Sequence, residues 1–296
     1  MKQIAVVDLG TNAMRLAISR GDSSHYELLK YVRYPNRLSE GMFSDGMLKE
    51  PAMERTVDGL LEIHAILKTY KIDEVRLIST SVLRSAKNRS YFLELVKQRT
   101  GFHIEVISGS EEARLIHIGA VNGIDIKDKR GFVIDIGGGS TELSVGDTKN
   151  IELAIAIENG AVRLKEQFIY HDPPAERELE DIKASINDDF KEILDHIKGL
   201  KPDIQVGVPG NIGTIYRTLK PSNGLTLNEL RIFYKRLSTM KVADIKNMTG
   251  LEEDKADILL PGLMILMKIM EATNMEQCYL SQKGLLHGVM IDLFRR

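Results

Sequence analysis

Apolar residues along the chain fall into short runs separated by longer stretches of helical spacing, the pattern of a mixed α/β protein. Ile4–Val7 and Arg15–Ile18 read as two strands joined by a turn, and Tyr26–Tyr34 as a third. Over residues 49–70, Met53, Val57, Leu60, Leu61 and Leu67 share one side of an amphipathic helix, widened by Ile63 and Ile66. His64 lies on that stripe and reads as a core or boundary histidine. Val75–Ile78 is the next strand, Tyr91–Arg99 a short helix stopped by Gly101, and His103–Ile107 a further strand. Ser108 with Glu111 fits a capping box, opening a helix that runs to Val121 before Asn122-Gly123.

The charged, turn-like run Ile124–Arg130 marks a domain boundary, and the succession then begins again. Gly131–Ile134, Glu142–Val145 and Ile151–Ile157 read as strands, followed by a helix over residues 160–169. His171-Asp172-Pro173-Pro174 is a break. Its two prolines place His171 in a loop with no second histidine in register, which argues against a metal site there. Glu176–Gly199 is a long amphipathic helix, and Ile204–Val208 a strand entering a helix near Asn211 or Ile212. Two short helices occupy Leu225–Asp244. Leu263–Ala272 is apolar nearly all round and therefore buried; Gln277–Leu280 is a final strand and Leu285–Phe294 a closing helix.

Two stretches repeat in detail. Asp8-Leu9-Gly10-Thr11-Asn12-Ala13-Met14-Arg15-Leu16 lies on Asp135-Ile136-Gly137-Gly138-Gly139-Ser140-Thr141-Glu142-Leu143 at an offset of 127 residues, from Asp8 to Asp135. Each is an apolar strand, a turn of small residues after an acid, then a second strand. Three glycines in a row let bare backbone approach a ligand, and successive N–H groups in such a turn make an anion-binding concavity. Two copies so far apart predict two similarly built domains presenting phosphate-gripping turns to a shared cleft.

Composition narrows the chemistry rather than choosing it. With 43% hydrophobic and 28% charged residues, the 296-residue chain is an ordinary globular protein with room for two domains. A net charge of −2 offers no broad cationic surface for a nucleic acid polymer, so an anionic substrate must be gripped locally. The single cysteine, Cys278, lies in a strand-like run and reads as a core residue. Met1-Lys2-Gln3 does not open a signal peptide, and no apolar run approaches the ~20 residues of a membrane span. The expected compartment is the reducing cytoplasm.

Further candidates lie at strand ends. Ser79–Ala86 offers hydroxyls, N–H groups and Arg84 at one sheet edge, which suits a phosphate and equally a hydroxyl-capped turn. Ser108 and Glu111 account for a helix cap, leaving Glu112 freer for chemistry; both acids also simply complement the helix dipole. The dipole would lower the pKa of Glu112, so a general-base role needs burial or nearby negative charge to raise it. Gly210 and Asn211, at a strand-to-helix turn, add a weaker phosphate-binding signal.

With these residues in place, the chain resembles the exopolyphosphatase/guanosine pentaphosphate phosphohydrolase (Ppx/GppA) family. That family sits in the superfamily of actin, the sugar kinases and Hsp70-like ATPases. The resemblance runs through Asp8–Leu16, Arg37–Gly41, Thr80–Ala86, Ile107–Leu115, Asp135–Leu143, Gly160–Leu164, Leu260–Gly262 and Gly284–Val289. It implies an α/β fold of two ribonuclease H-like, actin-like ATPase domains with a cleft between them. The first would comprise residues 1–124 with a returning helix at 284–296, the second residues 125–283.

The resemblance places Glu112 on the catalytic base and Asp135 and Glu142 on catalytic or metal-associated acids, with Asp8 as a further metal ligand. Asp8, Gly10, Thr11, Asn12, Arg15, Ser81, Arg84, Gly137, Gly138, Gly139, Ser140, Thr141, Gly210 and Asn211 form the implied phosphate-binding set. Departures from the family pattern are Ala13 for Ser, Pro209 and Asn211 for Gly and Thr, Lys255 for Arg and Leu286 for Arg. The chain ends where long members continue into helical domains, so it looks like the short two-domain form.

The implied activity is a Mg²⁺-dependent exopolyphosphatase releasing terminal phosphate from inorganic polyphosphate, with water aimed in line by Glu112. The same site would serve a pppGpp 5′-phosphohydrolase. A phosphotransferase or a nucleotide-binding switch of the superfamily is the alternative of another class. No membrane partner is expected, and a homodimer follows only from family analogy.

Overall fold

The computed structural model describes residues 1–22 and 24–296. A three-stranded meander begins the chain: β1 (Lys2–Leu9), β2 (Met14–Gly21) and β3 (Tyr26–Tyr34). After α1 (Glu50–Leu67), β4 (Glu74–Ser79) returns parallel to β1. Then come α2 (Ser81–Ser85), α3 (Arg89–Thr100), a short β5 (Glu105–Val106) parallel to β4, and α4 (Gly109–Val121). The sheet order is β3-β2-β1-β4-β5.

The second half repeats the plan. β6 (Gly131–Ile136), β7 (Thr141–Gly146) and β8 (Ile151–Ile157) form the meander, followed by α5 (Ala161–Phe168) and α6 (Glu176–Leu200). β9 (Ile204–Gly207) returns parallel to β6 and leads into α7 (Asn211–Leu219). β10 (Leu225–Thr226), α8 (Leu227–Leu237), α9 (Val242–Lys246) and the 3-10 turn Glu253–Lys255 precede α10 (Leu259–Thr273). β11 (Gln277–Leu280) pairs parallel with β9, and α11 (Leu285–Arg295) closes the chain. The second sheet runs β10-β11-β9-β6-β7-β8. These are the two ribonuclease H-like lobes expected, with a cleft at the hairpin turns.

Registers show how closely the halves correspond. Asp8 stands opposite Arg15 and Val6 opposite Ala17. At the same offset, Asp135 stands opposite Glu142 and Val133 opposite Ser144. Both turns are closed by the same hydrogen bond, Gly10 N–H to Ala13 carbonyl at 3.2 Å and Gly137 N–H to Ser140 carbonyl at 3.0 Å. In both, a Cβ on the glycine would lie 2.9 Å from that carbonyl oxygen, so no larger residue closes the turn.

Helix amphipathicity builds the layers. On α6, Leu179, Ile182, Ile186, Phe190, Leu194 and Ile197 recur at helical spacing and are buried against the second sheet's core. α10 is buried nearly all round, as its composition predicts. It begins at Leu259, earlier than the sequence pattern indicates; Pro261 fits because first-turn N–H groups have no intrahelical acceptor. β5 is shorter than expected, and α2 and β10 are additional short elements. Cys278 is buried, and burial pushes its thiol up to about 11, consistent with a core role.

A shared core joins the lobes beneath the cleft. Val6, Ala17 and Ile78 of the first sheet meet Val133 and Val206 of the second through Leu115 and Ile116 of α4 and Val289 and Leu293 of α11. α4 packs on β6, β7 and β8, whereas α11 packs on β1 and β2. Each sheet is thus covered by a helix reached from the other. Where α4 and α11 cross, a Cβ on Gly288 would lie 1.8 Å from the Leu115 carbonyl oxygen, so only glycine permits the approach.

Candidate active site

The two hairpin turns face each other across a cleft of about 250 Å³. Thr11, Asn12 and Ala13 line it from one lobe, and Gly138, Gly139 and Ser140 from the other. Among the described residues, none of these six backbone N–H groups donates to a protein acceptor. Three consecutive free donors in each turn form two anion cradles. The glycine run also allows the lobes to approach: a Cβ on Gly138 would lie 2.8 Å from Thr11 Cγ2, and one on Gly139 2.7 Å from Ser81 Oγ.

Four acids crowd the floor. Asp8, Glu112 and Glu142 are buried, and Asp135 lies beside them in the cleft wall. Burial pushes Glu112 up to about 7 against the opposing pull of Arg84, whose Nη1 donates to Glu112 Oε2 at 2.6 Å. The negative charge of Asp8 and Asp135 adds to the rise. Burial likewise raises Asp135 to about 7, opposed by Arg15 and reinforced by Asp8. Glu142 is also held well above its ordinary value, by burial and then by the negative charge of Glu112 and Asp135, although Ser140 Oγ donates to it at 2.5 Å. Burial also raises Asp8, and Arg15 opposes it from 2.6 Å across the hairpin. Beyond that ion pair, neither Asp8 oxygen has a hydrogen-bond partner.

Donors converge from both lobes. Arg84, on α2, links Glu112 to Ser140, its Nη2 standing 3.4 Å from Ser140 Oγ. The Ser108 hydroxyl caps α4 by accepting from Glu111 N–H at 3.1 Å. Glu111 does not close the box; it pairs with Arg114 at 2.7 Å. Glu112, one residue on, points into the cleft. Separate chemistry for the two neighbouring glutamates therefore has a geometric basis.

The chain matches the Ppx/GppA phosphatase family over residues 17–296. It belongs to that family. An inferred exopolyphosphatase of Haemophilus influenzae is 26% identical over 99% of this chain and 92% of its own length. A guanosine-5′-triphosphate,3′-diphosphate pyrophosphatase of Aliivibrio fischeri is 26% identical over 98% of this chain, which spans 59% of that longer protein. Among solved structures, an exopolyphosphatase from Cytophaga hutchinsonii superposes with a TM-score of 0.91 at 24% identity, covering 99% of this chain and 98% of that one. The Ppx/GppA enzyme of Aquifex aeolicus gives 0.78 at 26% identity, over 98% and 99%.

Several residues implied by Ppx/GppA membership are already engaged. The Asn211 amide donates to the Ile136 carbonyl at 2.6 Å, so this side chain braces the central hairpin. Its Oδ1 is buried without a partner. The Thr141 hydroxyl donates to the Asn159 carbonyl at 2.8 Å and is likewise spent inside its lobe. Asn12 reaches across to Asp254, with Nδ2 3.2 Å from Oδ2. Ser81 Oγ donates to Glu158 at 2.5 Å. Gly10, Arg15, Gly137 and Gly210 line the cleft. Gly210 has a φ of +139°, a conformation open to glycine, beside the Asp135 carboxyl.

Pattern reading did not single out Arg33, Arg217 and Glu252, which line the same cleft with Lys255, nor Glu158 and Arg163 at its edge. Lys255 pairs with Glu252 at 2.8 Å, and Glu252 also holds Arg217 at 2.7 Å. Arg163 lies one residue after Ala161-Val162 in a family motif, a signal that was available; Glu158 carried none. Among the described residues, no group of three or more His, Cys, Asp or Glu side chains is gathered closely enough to hold a metal by itself. Among the described residues, no helix is long and apolar enough to cross a membrane.

Proposed function

We propose that this Ppx/GppA member hydrolyses terminal phosphoanhydride bonds of inorganic polyphosphate, with Glu112 as general base. The observation that carries the reading is the pair of anion cradles facing one cleft with a buried carboxylate and Arg84 between them. A terminal phosphoryl group set against the free N–H groups of residues 11–13 and 138–140 would have its charge spread over fixed donors. Glu112 takes a proton from the attacking water as its oxygen bonds to phosphorus and the bridging P–O bond breaks. A carboxyl poised near 7 can accept that proton at neutral pH. Arg84 then balances the charge on the transferred group.

The donor set fits a divalent cation that shares its shell with substrate. Beyond its ion pair with Arg15, Asp8 keeps two buried oxygens without hydrogen bonds, and burial, reinforced by like-charge neighbours, pushes Asp135 and Glu142 towards protonation. Mg²⁺ is commonly bound by one or two carboxylates plus phosphate oxygens and water, so a complete protein cage is not required. One or two of Asp8, Asp135 and Glu142, with phosphate oxygens and water completing the shell, would hold it, and when bound it would neutralise charge on the phosphates.

The test is phosphate release from long polyphosphate, tripolyphosphate, pppGpp and ATP, each with Mg²⁺ or EDTA. Release from polyphosphate that needs Mg²⁺ and falls at least ~10²-fold in Glu112→Gln supports the reading. Full activity in that variant refutes the base assignment, and inertness towards every substrate refutes the function. The name of the Aliivibrio relative favours pppGpp as a second substrate for the same site; preference for it over polyphosphate would keep the chemistry and change the substrate.

A further inference from the structure

Beside the reacting carboxylate lies a second cluster of anion donors, and the protein fills it with an acid of its own. Glu158 follows the last residue of β8. Its Oε2 accepts from Ser81 Oγ at 2.5 Å, Arg163 Nη2 at 3.0 Å and Ser85 Oγ at 3.3 Å. Its Oε1 accepts from Arg84 Nε at 3.0 Å. Two guanidinium groups and two hydroxyls around one anion form the donor set that recognises phosphate.

The cluster is continuous with the proposed reaction centre. Arg84 holds Glu158 with Nε and Glu112 with Nη1. Arg163 Nε donates to the Gly139 carbonyl at 2.9 Å, and its guanidinium lies 4.4 Å from the centre of the Phe43 ring, so its position is set without Glu158. The occupant differs from its hosts in burial: the Glu158 side chain is 41% exposed, against 16% for Arg84 and 17% for Arg163. A carboxylate so exposed can rotate into water, leaving the donors in place.

We infer that Glu158 is an internal competitor for substrate: it occupies the subsite of a phosphate next to the terminal one, and a phosphoanhydride chain binds there by displacing it. This rests on the phosphoanhydride reading above. Its consequence is selectivity for chains. A lone phosphate leaves Glu158 seated, whereas a second linked phosphate brings the charge to replace it. Product phosphate would then be held less tightly than a chain.

The test is calorimetric titration of wild type and E158Q with imidodiphosphate, a non-hydrolysable diphosphate. E158Q keeps the shape and removes the competing charge, and should bind about tenfold more tightly, a change of about 1.4 kcal/mol. Adding R163Q to E158Q should abolish the gain. E158D, which draws the carboxylate back by one methylene, carries the same expectation if E158Q does not fold. Equal or weaker binding in the folded variant overturns the proposal and leaves Glu158 as a strut between lobes. Because the readout is binding, it is separable from the function: wild type that releases no phosphate from any chain defeats the hydrolase reading whatever E158Q does.

Discussion

The two hairpins share a backbone and differ in what stands across it. In the first, Asp8 faces Arg15; in the second, at the same register, Asp135 faces Glu142. One lobe therefore offers an acid paired with a base, the other two acids that repel. The turns differ in the same complementary way. Thr11 projects towards Gly138, the residue that corresponds to it in the other half, and side chains of threonine size at both positions would collide. A duplicated hairpin thus gives a scaffold, and its departures from symmetry let the two turns approach closely over a floor of carboxyls held towards protonation.

Breaking the acid pair should have the largest effect. Glu142→Gln is expected to lower phosphate release by about 10²-fold or more, measured with tripolyphosphate and Mg²⁺. The same change should stabilise the metal-free protein at high pH. Asp135 and Glu112, both near 7, and Glu142 above its ordinary value hold protons more tightly folded than unfolded. Their contribution to stability is fully present below the ordinary carboxyl pKa and is lost as pH rises through about 7. Urea midpoints in EDTA should fall between pH 5 and pH 8 in wild type, and by less in Glu142→Gln.

Breaking the mixed pair should cost stability first. Arg15→Met leaves Asp8 buried with no counter-charge and is expected to lose about 3 kcal/mol in urea unfolding, with the deficit larger at pH 8 than at pH 5. Asp8→Asn in the same chain should recover most of it. Filling the contact between turns comes next: Gly138→Thr should cost about 2 kcal/mol by overpacking, partly restored when Thr11→Gly opens space opposite.

The smallest effect separates the faces that the two hairpins turn towards the shared core. Ser144 Oγ lies 2.9 Å from His117 Nδ1, whereas the corresponding residue of the first hairpin is Ala17. Ser144→Ala should destabilise by about 1 kcal/mol in urea unfolding, the ordinary worth of one buried hydrogen bond. A loss near zero would mean the imidazole is satisfied by the Asp147 carbonyl, 3.1 Å from its other nitrogen.

Local pattern was sufficient for most of the fold. The strand runs, the amphipathic α6 and the 127-residue repeat follow from periodicity and turn chemistry, both properties of neighbouring residues. β5 and α2 were less legible because edge strands and single helical turns have too few periodic positions to announce themselves. At the site, the acids and glycines of the turns stood out because a sharp turn after a strand restricts residue type. The partners of those residues did not. Asn211 is spent on Ile136, Thr141 on Asn159 and Ser81 on Glu158, each pairing made between segments that chain order leaves unrelated.

What the sequence determined alone is therefore the duplicated plan: two hairpins with equal registers, turns that only small residues can close, and acids at their roots. What only the tertiary structure decided is which donor meets which acid, that burial outweighs the pull of Arg84 at Glu112, and that Glu158 sits among Arg84, Arg163 and two serines. The reason is range. Backbone geometry and hydrophobic spacing act over a few residues, whereas burial and charge pairing are sums over every segment that folding brings within a few ångströms.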